Sequence, residues 1–143
     1  MAAERTANVT WEGGLAKGRG TFTTGSGALG DQEVTWASRT ERSEGKTSPE
    51  ELIAAAQASC FAMALSHGLG QAGHEPATLQ VGAACTIEPG VGITTMKIDV
   101  VGNVPGIDAA AFQEAAEAAK EGCPVSGALK GNVETTLTAR LEE

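Results

Sequence analysis

The closing run NVETTLTARL alternates polar and apolar positions along its length, the two-residue period of a strand with one covered face. TLQVGAACTIE and ITTMKIDVVG read as β runs as well, and Pro89-Gly90 between them predicts a hairpin turn. The first 45 residues place short β-like segments, RTANVTW, TFTT and EVTWASRTER, between the glycine-bearing GGLAKGRG and GSGALGDQ. That spacing predicts an antiparallel meander.

Two segments break the β pattern. Ser48-Pro49-Glu50-Glu51 is a capping box, with serine at N-cap, proline at the first helical position and Glu51 reaching back. It opens a long helix predicted from about Pro49 to Gln71, which QAGHEP stops. Glu51 has a structural task there, so Glu50 is the freer carboxylate. AAAFQEAAEAAKEG is the second helix, with Asp108 as N-cap and Gly122 as stop, and GCPVSGALKG has room for one short helical turn. The order βββ, α, ββ, α, short α, β predicts an α+β fold, antiparallel sheets packed around a long central helix, as one domain over residues 1–143.

Along the long helix Ile53, Ala56, Cys60, Met63 and Ala64 line one side, and Leu52, Ala55, Ser59, Ala62 and Leu69 the other. A helix apolar all round is buried all round, whereas a two-layer domain of this size leaves one helix face to solvent. A second copy of the chain is the simplest cover, so a homodimer is expected. A monomer wrapping strands about the helix satisfies the same pattern.

Composition narrows the function classes. Hydrophobic residues make up 41% and charged residues 20%, which describes a globular protein, and aromatics are only 3%, so alanines and aliphatics do most of the packing. The formal charge is -8 and the ten basic residues form no cluster, which argues against nucleic acid as a partner. The N-terminus lacks a signal peptide's apolar core, and Leu52 to Leu65 is interrupted by Gln57 and Ser59 and too short for a bilayer. No membrane partner and a cytoplasmic location are expected. In a reducing compartment the three cysteines, Cys60, Cys85 and Cys123, are left to burial, metal binding or redox chemistry.

Cys123 lies in Gly122-Cys123-Pro124, where the proline would set the thiol at an N-cap and the helix would stabilise a thiolate. The alternative is a small residue after a helix end, and the local sequence leaves both open. Cys60 on an apolar helix reads locally as core filling. A chemical role requires a cation nearby, for which Arg39 and Arg42 at the end of the third strand and His67 are candidates. Cys85, inside a β run with no charged neighbour before Glu88, reads as core. His67 and His74 read as structural or solvent-facing, and no paired ligand spacing supports a metal. Neither a phosphate loop nor a G-x-S-x-G elbow occurs.

TSPEELIAAAQASCFAMALS, followed by GIDAAAFQEAAEAAKEGCPVSGALKG and preceded by WEGGLAKGRGTFTTGSGAL and WASRTERSEGKTSPEE, resembles the OsmC branch of the OsmC/Ohr family of organic hydroperoxide peroxidases. The likeness covers nearly the whole chain; Ser48 stands where the family often has asparagine, and both residues cap helices. The resemblance implies that Cys60 is the peroxidatic thiolate, Cys123 the resolving thiol, and Arg39 with Glu50 the polar partners that activate Cys60, Arg39 being preferred over Arg42. It implies an intertwined homodimer with sites at the interface. It also implies no cofactor, an organic hydroperoxide substrate, and recycling of a Cys60–Cys123 disulfide by an external dithiol, either small or on a lipoyl-bearing partner. Phe61 beside the nucleophile would suit an alkyl group. A redox-sensing or binding protein that reacts once without cycling, and a structural dimer with inert thiols, are the readings from other classes.

Overall fold

The structure is a computed structural model describing residues 2–142, and the chain forms two compact units, one ending at Leu52 and the other beginning at Ile53. In the first, β1 (Ala7–Glu12), β2 (Arg19–Thr24) and β3 (Gln32–Val34) form an antiparallel sheet in that order, with Val9 opposite Phe22 and Phe22 opposite Gln32. This is the expected meander. Its third strand is shorter than EVTWASRTER suggested, because after Val34 the chain turns into α1 (Trp36–Thr40). A capping box drives the change: Thr35 Oγ1 accepts from the Ser38 N–H at 3.0 Å and Ser38 Oγ accepts from the Thr35 N–H at 2.9 Å. Arg39 therefore sits on a short helix and not at a strand end.

α2 (Pro49–Gln71) has the bounds expected of it. Ser48 Oγ accepts from the Glu51 N–H at 3.1 Å, but the Glu51 carboxylate takes its bond from the Thr47 hydroxyl at 2.7 Å instead of reaching back to the cap's own backbone.

The second unit contains the rest of α2, then β4 (Thr78–Glu88), β5 (Gly92–Asn103), α3 (Ala109–Gly122), α4 (Pro124–Leu129) and β6 (Glu134–Leu141), with sheet order β4-β5-β6. β4 and β5 are an antiparallel hairpin, and Gly90 at φ +83° supplies the turn conformation that a side chain disfavours. β6 pairs with β5 in parallel, from Thr95 opposite Glu134 to Gly102 opposite Leu141. An antiparallel partner was expected there. A parallel pair needs a long crossover, and α3 with α4 is that crossover. Asp108 caps α3 as expected, its Oδ1 accepting from the Ala111 N–H at 2.8 Å.

The core of this unit packs Phe61, Leu65 and Leu69 of α2 with Met96, Ile98 and Val100 of β5 and Phe112, Ala116 and Ala119 of α3. Phe61 is fully buried in this cluster, so it cannot offer its ring to a substrate's alkyl group as expected. By length and composition alone α2 could cross a membrane, with a mean hydropathy of 1.4; it is not buried all round as expected, one side packing Phe61, Leu65 and Leu69 into this core while much of the rest is exposed. Gly102 lets the Phe112 ring lie against the strand, since a Cβ on residue 102 would come within 2.6 Å of Phe112 Cζ. Gly102→Ala should therefore cost about 1–3 kcal/mol, the usual range for overpacking a filled core, read as a lowered urea midpoint.

Candidate active site

Cys60 and Cys123 are brought together inside the second unit. Cys60 is half-buried on α2. Cys123 is the residue on which α3 ends and α4 begins: its N–H bonds the Ala119 carbonyl at 2.9 Å, and Pro124 starts the next helix. That corner sets Cys123, only 1% exposed, close enough to Cys60 for each thiol to act on the acidity of the other. Neither is in a disulfide.

Gln57, one turn before Cys60 on α2, completes the group. Its Nε2 donates to Cys123 Sγ at 3.4 Å and to Ser126 Oγ at 3.1 Å, while its Oε1 is buried without a hydrogen-bond partner among the described residues. In the sequence Gln57 stands only as an interruption in an apolar run. Its spacing of three from Cys60, and that of Ser126 from Cys123, were the available signals.

The two thiols are driven apart in acidity. Burial pushes Cys60 up, and Cys123 adds to this both as a hydrogen-bond partner and as a charge; the Val125 N–H acts against them. Burial also works to raise Cys123, but hydrogen bonding from Cys60, the Ser126 N–H and hydroxyl, and the Val125 N–H outweighs it, leaving that thiol below its ordinary value. Those N–H groups act on the sulfur electrostatically, without closing a formed capping bond. Access and charge thus fall on different atoms. The more acidic sulfur is shut in, and the more reachable one is the weaker acid.

In the first unit Arg39 and Glu50 form a forked ion pair. Arg39 Nε donates to Glu50 Oε1 at 3.0 Å and Nη2 to Oε2 at 2.9 Å, with a second Nε contact to Oε2 at 3.2 Å. Ser38 Oγ donating to the Thr47 carbonyl at 2.9 Å ties α1 to the entry of α2, so that residues eleven apart can meet. The Glu50 side chain is 5% exposed and that of Arg39 33%. The guanidinium also lies 5.9 Å from the Trp36 ring centroid. The pair uses one edge of the fork, and among the described residues Nη1 has no acceptor. α2 runs unbroken past both Glu50 and Cys60; ten residues at 1.5 Å each put about 15 Å of helix between them.

The remaining candidates lie elsewhere. Cys85 is on β4, opposite Met96, and packs against the core cluster. His67 and His74 line an apolar groove of about 590 Å³ between α2 and α3, together with Ala64, Gly68, Ala115 and Gly122 among others. Among the described residues, no three of His, Cys, Asp and Glu are grouped to hold a metal ion. Arg42 makes no ion pair among the described residues; its N–H bonds the Ala37 carbonyl at 3.0 Å.

The chain was compared with known proteins. The family model described as OsmC-like protein matches residues 42–138. Peroxiredoxin OsmC of Escherichia coli is 40% identical over 136 residues, covering 93% of this chain and 94% of that protein. Organic hydroperoxide resistance protein OhrB of Bacillus subtilis is 32% identical over 133 residues, covering 92% and 95% respectively. The crystal structure of OhrB superposes with a TM-score of 0.71 at 31% identity, over 94% of this chain and 97% of that one. An organic hydroperoxide resistance protein from Elizabethkingia anophelis gives a TM-score of 0.71 at 28% identity over 99% and 100% of the two chains. Profile, sequence and fold agree, and the chain belongs to the OsmC-like protein family.

Proposed function

We propose that this protein is a cysteine-based peroxidase that reduces organic hydroperoxides to alcohols, with Cys60 as the attacking thiol and Cys123 as the resolving one. The observation that carries the reading is the unequal dithiol: one sulfur reachable and one buried, near enough to shift each other's acidity. Access assigns the roles. A peroxide can approach Cys60, whereas Cys123 can meet only what Cys60 presents to it. Relatives named for peroxiredoxin activity and for organic hydroperoxide resistance support the same chemistry.

Cys60 attacks the terminal peroxide oxygen, the O–O bond breaks, and the alkoxide leaves and takes a proton to become the alcohol. Cys60 is left as a sulfenic acid. The Cys123 thiolate then attacks that sulfur, expels hydroxide, which leaves as water, and closes a Cys60–Cys123 disulfide. An external dithiol, small or lipoyl-bearing, restores both thiols by exchange. No prosthetic group enters these steps.

Cys60 needs help to ionise, because its surroundings favour the thiol. We assign that help to Arg39, with Glu50 holding the guanidinium in place: a cation at the sulfur favours the thiolate and stabilises charge on the departing oxygen. The length of helix between Glu50 and Cys60 means that Glu50 works through Arg39 or on the thiol of a second chain. A homodimer agrees with the apolar positions that α2 leaves uncovered, Met63 being 71% exposed. The α2–α3 groove suits the organic part of the substrate. Ala64, one turn after Cys60, and Gly122, next to Cys123, both line it.

Steady-state consumption of cumene hydroperoxide with a dithiol tests the reading, and wild type should cycle for many turnovers. Stoichiometric consumption that stops after one round would instead make the protein a redox sensor. In Arg39→Lys the charge stays but the fork onto Glu50 is lost, and kcat/KM for the hydroperoxide should fall on the order of 10²-fold, the scale for losing one oriented donor. Unchanged kcat/KM would remove Arg39 from the mechanism.

A further inference from the structure

Gln57 is fully buried, and its amide is only half used: the nitrogen serves Cys123 and Ser126, while the oxygen has no partner among the described residues. A buried acceptor left unpaired is unfavourable. It persists where another state of the molecule supplies its donor. Gln57 and Cys60 are three residues apart on α2, so their side chains are neighbours on one helix face. Among the described residues no donor reaches the Gln57 oxygen with Cys60 as a free thiol. Oxidation to a sulfenic acid gives Cys60 a hydroxyl group, a donor of the kind the Gln57 oxygen lacks in the resting site.

We propose that Gln57 is a positioning residue for closure of the disulfide: its N–H holds Cys123 as a thiolate facing Cys60, and its carbonyl oxygen accepts the hydroxyl of the Cys60 sulfenic acid. Held in this way, the sulfenic S–O bond is oriented for displacement, and the Cys123 sulfur can attack opposite the departing oxygen. The balance is that of the resolving step: the Cys123 thiolate forms the S–S bond, the S–O bond breaks, and hydroxide leaves with a proton as water. The oxidant is the organic hydroperoxide of the first step, so the inference rests on the peroxidase reading above. Gln57 acts after that oxidation and leaves the attack on peroxide largely untouched. Ser126, held by the same amide nitrogen, keeps that nitrogen turned toward Cys123.

Gln57→Met tests this, because methionine fills nearly the same volume and removes both amide groups, including the unpaired oxygen, so the fold should be no less stable. Wild type and variant would each be oxidised with one equivalent of cumene hydroperoxide across a pH series. Sulfenic acid would be followed by dimedone trapping, disulfide by loss of free thiol, and folding by the urea midpoint. Sulfenic acid should form at a near wild-type rate. Disulfide closure at neutral pH should slow roughly tenfold, the worth of one hydrogen bond to a charged group, and its pH midpoint should move up. Gln57→Glu should move that midpoint further up, since a carboxylate beside a thiolate repels it. Closure at the wild-type rate and midpoint in Gln57→Met overturns the proposal for Gln57 alone. Loss of stability and rate together with an unmoved midpoint makes Gln57 a packing residue and overturns it too. A wild-type protein that forms no Cys60–Cys123 disulfide removes the dithiol reading beneath it and takes both down.

Discussion

Replacing Cys60 with serine should bring the steady-state consumption of cumene hydroperoxide down to the uncatalysed rate. The substitution changes one atom on a half-buried position of α2, so the helix, its caps and the core formed by Phe61, Leu65 and Leu69 stay as they are. What disappears is a nucleophile that can ionise in the working range, since a serine hydroxyl does not. Cys123 cannot substitute, although it is the more acidic thiol, because at 1% exposure its sulfur is out of reach of a hydroperoxide. The assay is hydroperoxide loss in the presence of excess dithiol, with the urea midpoint as the control for folding. Wild-type turnover in this variant would place the chemistry on another residue.

Cys123→Ser should separate the first turnover from the later ones. One equivalent of hydroperoxide is still reduced, Cys60 stays as a sulfenic acid that dimedone traps, and no disulfide forms within the chain. Cycling then depends on a thiol from solution in place of one already held against the sulfur, and steady-state turnover should fall on the order of a hundredfold. The pH dependence carries a sign. Cys60 lies above its ordinary value through burial first, then through hydrogen bonding to Cys123 and repulsion by its charge. Serine at 123 removes the charge and weakens the bond, leaving burial as the main raising effect with the Val125 N–H still acting against it. The Cys60 thiol then ionises at lower pH, and the midpoint of the first-turnover rate should shift down relative to wild type. An upward shift would mean that Cys123 assists Cys60 in the resting pair, against the electrostatics described here.

The elements legible in the sequence are those whose signals are local. Ser48 and Pro49 open α2 and Asp108 opens α3, because a cap satisfies N–H groups within its own turn. The alternation in TLQVGAACTIE and ETTLTARL appears as strands with one covered face, Leu79, Val81, Ala83 and Cys85 inward on β4 and Leu137, Ala139 and Leu141 on β6. Alternation says nothing about strand direction, so the parallel pairing of β6 was not readable from it. α1 was missed because Thr35 and Ser38 stand inside a run with strand-like composition, and a five-residue helix has no periodicity to show. Phe61 follows Cys60 in sequence but points about 100° away around the helix, into the core.

The site was legible in parts. The Cys60–Cys123 approach is carried by the turn at Gly122-Cys123-Pro124, whose helix-end and helix-start signals are local and set the sulfur at a corner between α3 and α4. The Arg39–Glu50 fork depends on α1 being tied to the entry of α2 through Ser38 and Thr47, a contact that no spacing rule announces. Gln57 was passed over because a polar residue inside an apolar helix is legible only as an exception until its partners are known.

The pairing of Cys60 with Cys123 is tested most directly by peptide mapping of the wild-type protein after one equivalent of cumene hydroperoxide, without reductant and with remaining thiols alkylated. One product is expected, a linked peptide pair containing Cys60 and Cys123, with Cys85 alkylated and the link reversed by dithiol. A disulfide that includes Cys85, or Cys60 and Cys123 both recovered as alkylated thiols after the hydroperoxide is consumed, would contradict it.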